Sequence, residues 1–316
     1  MNSTRIHQAV MVKEVIEYLG KAVIPNHGSP LFVDGCAGLG GHSKAILTSF
    51  PTSHLLCIDR DPIMHDELMY RLQSYGDRVK VVTDSYAEIG KILQSQKANG
   101  ILLDLGFNSV HVDEAERGFS FLLEGPLDMR YDQSSGITAS DLVNGLDAQS
   151  LAAIFAEYSG ESLRTSRHIG NAIVAHRQSK GPFTTTTELA MFLNHHLGNR
   201  KGSKTPCTGL FQALRIAVND EFKHVDAFMS SLPFVLERGG VFVALCFQSL
   251  EVRRLKMWVR RYLDAQSEWR KQHTLEDQSF TILTSKLIPP SENEVATNNR
   301  SRSALLYAIQ RRLTVS

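Results

Sequence analysis

The sequence predicts an α/β fold: a doubly wound, mostly parallel sheet with a helical domain inserted into it. Two observations carry this prediction. Through the first third of the chain, short apolar runs ending in aspartate alternate with helical periodicity, the pattern of strands buried on both faces. After Asp104 the alternation stops, and a sheet pattern returns only at Gly240.

Taken in order, Val10–Leu19 reads as a helix and Leu31–Asp34 as a short buried strand. A glycine-rich turn then leads into a helix over His42–Phe50. His54–Asp59 is the second strand, followed by a helix from Pro62 to Ser74; Val79–Val82 and Ile101–Asp104 are the third and fourth strands. Glu116–Ser135, rich in glycine, proline and charge, reads as a long ordered loop, and Ala139–Leu197 reads as helical without a strand. One helix is expected over Leu210–Leu236, then an Arg238-Gly-Gly turn and a strand over Gly240–Phe247. Phe280–Leu287 and Ala304–Gln310 are candidates for closing antiparallel strands. The simplest organisation is a discontinuous α/β domain, residues 1–107 and 211–316, with a substrate-recognition insertion at 108–210.

A length of 316 residues suits two domains, and 42% hydrophobic with 21% charged residues is the composition of an ordinary globular protein. The longest apolar run, Val241–Phe247, is strand-sized, which argues against a membrane span. The N-terminus lacks the apolar stretch of a secretory signal. Cys36, Cys57, Cys207 and Cys246 form no C-x-x-C pair and read as reduced thiols, so a cytoplasmic location without a metal site is expected. The net charge of +1 hides an uneven distribution. Arg164–Lys204 holds seven Lys/Arg and four histidines against the single acid Glu188, and Ser249–Lys271 holds seven Lys/Arg against three acids. Such local excess is the electrostatic footprint of a nucleic-acid contact, although solvated helix faces give the same pattern.

The turn after Asp34 carries Gly35, Gly38, Gly40 and Gly41, where a Cβ would obstruct both the turn and a nucleotide's approach to the backbone. A dinucleotide fingerprint needs a third glycine at position 43. Ser43 stands there, which argues against NAD or FAD. Asp59 ends the second strand, where a carboxylate accepts hydrogen bonds from ribose hydroxyls. Glycine turn plus strand-end acid describes a site for S-adenosylmethionine (AdoMet), which presents ribose and adenine but no phosphate. Asp34, Asp59 and Asp104 end three strands, and ligands of open α/β sheets bind beyond such ends.

The chain resembles the RsmH/MraW family of bacterial methyltransferases that modify cytosine N4 in the decoding centre of small-subunit rRNA. The likeness lies in Gly38-Leu-Gly-Gly-His-Ser43, Ile58-Asp-Arg-Asp-Pro62, Gly100-Ile-Leu-Leu-Asp-Leu-Gly106 and Asp113-Glu-Ala-Glu-Arg-Gly-Phe-Ser-Phe121. It continues through Gly125-Pro-Leu-Asp-Met-Arg130, Phe211-Gln-Ala-Leu-Arg-Ile-Ala-Val-Asn-Asp-Glu221 and Arg300-Ser-Arg-Ser303. The resemblance implies a Rossmann-like AdoMet-dependent methyltransferase with a helical insertion, acting on small-subunit (16S) rRNA or the small ribosomal subunit. It implies AdoMet contacts at Gly38, Gly40, Gly41, His42, Asp59, Tyr86 (usually Phe in the family), Asp104 and His111.

The chain departs from the family on the acceptor side. Phe107-Asn-Ser-Val-His-Val-Asp113 replaces Val-Ser-Ser-Pro-Gln-Leu-Asp, so His111 stands for a glutamine. Thr205-Pro-Cys-Thr-Gly-Leu210 replaces His-Pro-Ala-Thr-Arg-Thr, and Cys246-Phe-Gln-Ser-Leu-Glu-Val-Arg253 replaces Ser-Phe-His-Ser-Leu-Glu-Asp-Arg. Asp104 and Asn108 are the candidate catalytic residues, because either offers an oxygen at the strand end to a cytosine amino group. Arg117, Asp128 and Arg130 in the loop, Arg215 and Asn219 one helical turn apart, and Arg300 and Arg302 are candidates for substrate contact. An internal Asp128–Arg130 pair and a packing or capping role for Arg215 and Asn219 are the structural alternatives. His195 and His196, being adjacent, diverge on a helix and read as surface residues. A methyltransferase for another RNA position, or a catalytically decayed AdoMet-binding assembly protein, remains the rival reading. Monomer and homodimer stay open.

Overall fold

The computed structural model describes residues 8–24, 28–107, 109–198, 205–264, 268, 271 and 280–313. Its strands are β1 (Leu31–Asp34), β2 (His54–Asp59), β3 (Val79–Thr83), β4 (Ala98–Asp104), β5 (Leu236–Cys246), β6 (Phe280–Ile282) and β7 (Leu305–Arg311). Helices α1 (Val12–Leu19), α2 (Gly41–Ser49), α3 (Pro62–Leu72) and α4 (Ile89–Leu93) alternate with the early strands. Then come α5 (Ser109–Asp113), α6 (Ala139–Gly145), α7 (Ala148–Tyr158), α8 (Leu163–Lys180), α9 (Thr186–Leu197) and α10 (Thr208–Val218). Helices α11 (Glu221–Val235), α12 (Ser249–Leu263) and α13 (Glu292–Thr297) lie among the late strands.

The chain divides into two units, one of Met1–Gly106 with Lys223–Ser316 and one of Phe107–Phe222. The first contains a seven-stranded sheet in the order β3-β2-β1-β4-β5-β7-β6. Strands β1 to β5 run parallel, and β7 pairs antiparallel with both β5 and β6. The fold is therefore the Rossmann-like, doubly wound arrangement with an antiparallel edge. Parallel pairing brings the carboxyl ends of β1, β2 and β4 to one edge, with Asp34 opposite Cys57 on one side and Leu102 on the other. Val33, Ile58, Ile101, Leu103, Phe228 and Phe242 are fully or almost fully buried in the core of this unit. Burying side chains of this size stabilises by roughly 1.5–3 kcal/mol each, against the entropy of ordering the chain. Local signals set the helix starts: Asp61 accepts the Ile63 N–H at 3.0 Å and Pro62 opens α3.

The second unit is helical. Leu151, Phe155, Ile169, Ile173, Leu189 and Leu193 form its core, and Phe211 and Leu214 of α10 pack into the same cluster. The helical unit thus runs past residue 210. The single helix expected over Leu210–Leu236 is two: α10 stops at Val218, Asn219 takes the cap and Asp220 turns at φ 49° before α11 begins. Apolar residues flank the break on both sides, so periodicity does not reveal it. The Arg238-Gly-Gly turn is also different, being a kink within β5, where Gly239 takes φ 76° and the β4–β5 register shifts. Strand β6 ends at Ile282, and only an isolated bridge from Ile288 to Leu306 continues that edge. No helix among the described residues is long and apolar enough to cross a membrane.

Candidate active site

The glycine turn is built from backbone conformations that side chains resist. Gly38 and Gly40 sit at φ 51° and 79°, and Gly40 caps α2. The Gly38 N–H donates to Asp59 Oδ2 at 2.7 Å and the Asp61 N–H to Asp59 Oδ1 at 2.9 Å. Asp59 thereby ties the turn to the end of β2, and a carboxylate oxygen can accept more than one hydrogen bond. Ser43 donates to Asp34 Oδ2 at 2.6 Å, and the Cys57 thiol donates to Ser43 Oγ at 3.4 Å. The residue that breaks the dinucleotide fingerprint is thus the partner of a buried carboxyl. Burial pushes Asp34 up to about 6, against the opposing pull of His42 and Ser43.

At the end of β4, Asp104 Oδ2 lies 3.4 Å from His42 Nδ1, and His42 Nε2 lies 2.8 Å from the Val10 carbonyl oxygen. Burial alone depresses the imidazole. The bond to Asp104, the charges of Asp104 and Asp34 and the Val10 carbonyl outweigh it and hold His42 up at about 9. Asp104 Oδ1 is buried without a hydrogen-bond partner among the described residues. After β3, Ser85 accepts the Ala87 N–H at 3.1 Å and bonds His224. This fixes the short turn that carries Tyr86, which is buried edge-on to Phe228 with centroids 5.9 Å apart. Gly35 lies between: a Cβ there would come within 2.4 Å of Leu103 and 3.3 Å of Tyr86.

Arg117, Asp128, Arg130, Arg215, Asn219 and His111 stand in the helical unit, held in a dense internal network. Arg117 is 2% exposed and donates to the carbonyls of Arg130 and Tyr131 at 3.2 and 2.8 Å. Asn219 receives the Tyr131 N–H at 2.9 Å and donates to the Met129 carbonyl at 2.7 Å, clamping the long loop to the end of α10. Arg215 forms a two-pronged buried pair with Glu221 at 2.8 and 3.0 Å, and its guanidinium lies 4.6 Å from the Phe107 ring centroid. Arg130 and Asp128 pair through two side-chain bonds of 3.0 and 2.8 Å. Partial burial opposes the Asp128 charge, but Arg130 holds its carboxyl below the usual range. The family departures join this network: His111 stacks on Phe119 at 4.9 Å and tilts against Tyr131 at 5.1 Å, and Phe107 reaches Phe119 at 6.2 Å.

Asn108 lies outside the described residues. Arg300 and Arg302 are exposed on a 3-10 turn, either side of buried Ser301. The four cysteines are unpaired, and no group of metal-holding side chains occurs among the described residues. The Arg215–Glu221 pair and the Ser43–Asp34 bond went unread in the sequence. Ser43 did carry a signal, as a polar residue at a position where the turn called for glycine.

Together the sheet order, the glycine turn and the strand-end carboxylates at Asp34, Asp59 and Asp104 define an AdoMet-dependent methyltransferase. The residues suit that cofactor in chemistry: a glycine turn beside a strand-end carboxylate, a buried aromatic ring at Tyr86 and a buried acceptor, Asp104 Oδ1, without a donor among the described residues. The chain belongs to the MraW methylase family, whose model matches residues 4–312. It is 39% identical to the ribosomal RNA small subunit methyltransferase H of Dehalococcoides mccartyi, over 96% of this chain and 86% of that protein. The protein of the same name from Cyanothece sp. is 40% identical over 89% of this chain and 87% of its own length. That of Rickettsia prowazekii is 34% identical over 98% and 99%.

Proposed function

We propose that this chain transfers a methyl group from AdoMet to the N4 amine of a cytosine in the decoding centre of small-subunit rRNA. The observation that carries this reading is its end-to-end likeness to relatives named small-subunit rRNA methyltransferases. AdoMet, when bound, supplies an electrophilic methyl, so the protein mainly has to position the acceptor.

Asp59 offers acceptor oxygens to ribose hydroxyls, Tyr86 the wall beside adenine, and the turn from Gly38 to Gly41 a backbone that a ligand can approach closely. The family resemblance adds His111 to the proposed cofactor contacts, and a place in the sequence just after β4 adds Asn108 to the proposed catalytic residues. Cytosine N4 is a weak nucleophile because its lone pair is delocalised into the ring. Asp104 Oδ1, or the side-chain oxygen of Asn108, accepts an amino hydrogen and favours a pyramidal nitrogen; of the two, the Asp104 carboxylate takes the proton as charge develops, since an amide oxygen only accepts the hydrogen bond. The target base has to leave any stack to reach that oxygen. In this reading Arg300 and Arg302, exposed on the turn before β7, and Arg130 in the loop contact phosphates. Arg117, Asp128, Arg215 and Asn219 serve the substrate by holding that loop in shape.

The changes at His111, at Thr205–Leu210 and at Gln248 favour a second reading, methylation of a different RNA position. Mapping methylated cytosines in small-subunit rRNA, with and without the gene, separates the two. Loss of one decoding-centre N4-methylcytosine is the expected result. An unchanged decoding centre removes the substrate assignment and leaves the fold intact.

A further inference from the structure

Helices α8 and α9 form a hairpin that carries more than the solvated charge its composition suggests. Between Leu163 and Leu197 the one carboxylate is Glu188, in the first turn of α9, where it accepts the Thr184 N–H and hydroxyl at 2.9 and 3.1 Å. The opposite end of the hairpin is basic. Arg164, Arg167, His168 and His195 are exposed there, and Arg164 and His168 share a helix face one turn apart.

A line of rings crosses the seam between the two helices. His168 and His196 lie 5.5 Å apart, His196 and Phe192 4.4 Å, Phe192 and His176 4.9 Å, and His176 stacks on Phe183 at 4.4 Å. His195 meets His196 edge-on at 5.4 Å. A metal does not explain the arrangement, since no metal-holding group of side chains occurs among the described residues. Burial, and then the charges of His168, His195 and His176, hold His196 below the ordinary imidazole range. The rings around His196 are imidazoles and Phe192, and Arg164 and Arg167 stand exposed at the same end of the hairpin, so this end favours an anion.

We propose that this face of the α8–α9 hairpin is an RNA-docking surface, with Arg164, Arg167 and His168 taking backbone phosphates and the exposed ring edges beside them meeting unpaired bases. The inference rests on the RNA substrate proposed above. Charge complementarity selects a polyanion, and rings interleaved with cations suit single-stranded RNA, whose bases stack on aromatic faces.

The test compares wild type, an Arg164→Ala/Arg167→Ala/His168→Gln variant and Lys91→Ala, which removes an exposed cation elsewhere. Binding of a labelled small-subunit rRNA fragment is followed against salt, alongside AdoMet binding and thermal unfolding. The triple variant is expected to bind RNA about tenfold more weakly and to lose about 1 to 2 from the salt slope. Its AdoMet affinity and unfolding should match wild type. Lys91→Ala should change neither. Unaltered RNA affinity and slope in the triple variant, or an equal loss in Lys91→Ala, overturns this proposal and leaves the methyltransferase reading standing. A wild-type protein that neither binds nor methylates small-subunit RNA overturns both.

Discussion

His42 stands between two acceptors, the Val10 carbonyl oxygen at 2.8 Å from Nε2 and Asp104 Oδ2 at 3.4 Å from Nδ1. A carbonyl only accepts, so Nε2 carries a hydrogen. A bare Nδ1 would then face a carboxylate lone pair, and a second proton between ring and carboxylate removes that repulsion. His42 is thus an imidazolium at neutral pH, held at about 9, and it anchors Asp104 by one oxygen while leaving Oδ1 for other chemistry. In the cofactor-free protein, nitrogen-resolved NMR should find both His42 ring nitrogens protonated at neutral pH. A neutral ring would contradict the pairing.

The sign of the pH dependence follows. His42 is raised from 6.5 to about 9, so its contribution is complete below the lower value and fades as pH rises through the upper one. The loss amounts to roughly 3 kcal/mol. Asp34, raised from 3.8 to about 6, also weakens the fold as pH rises, but within that lower window, as its charge becomes costly to bury. Denaturant unfolding of wild type should therefore lose stability in both windows. His42→Gln should abolish the alkaline loss and retain the acid one.

Ser43→Ala removes the 2.6 Å bond to Asp34 and leaves a buried carboxyl short of a donor. The expected cost is about 1–3 kcal/mol, with the Asp34 titration moving higher still. Unfolding curves at mildly acidic and neutral pH check both, and the penalty should be larger at neutral pH.

Arg215→Ala breaks a buried ion pair with Glu221 and should cost about 3–5 kcal/mol. Arg215→Lys should recover little, because an ammonium cannot reproduce the two-pronged contact. Replacing both partners by apolar residues should recover most of the stability. Equal losses in the single and double variants would show that the pair is not the source.

Gly118 adopts φ 70°, and a Cβ there would lie 2.2 Å from the Pro126 carbonyl oxygen. Gly118→Ala should disorder the loop that Arg117 and Asn219 hold. Limited proteolysis should then cut within residues 118–135, while the sheet unit keeps its hydrogen-exchange protection.

Strands β1, β2 and the end of β4 were legible because each is an apolar run closed by aspartate, and a parallel sheet needs little else to specify it. The start of β4 was not: Ala98-Asn-Gly has no strand pattern, yet Gly100 pairs with both Phe32 and Val241, at a place where a Cβ would collide with the Phe32 ring at 2.5 Å. The glycine turn and its carboxylates could be read because local backbone demands write themselves as residue types. The buried work of Arg117, Arg215 and Asn219 is settled by partners distant in sequence or across a helix break. Sequence marked these polar residues as special and left their partners unnamed. His42 lies in between: its family motif was visible, but its charge depends on Val10 and Asp104, which only the fold brings beside it.

Calorimetric titration of AdoMet into the purified chain tests the central claim most directly. Wild type should bind one equivalent, Asp59→Ala should bind at least tenfold more weakly, and Lys91→Ala should match wild type. A folded wild-type protein that shows no AdoMet binding would contradict the account.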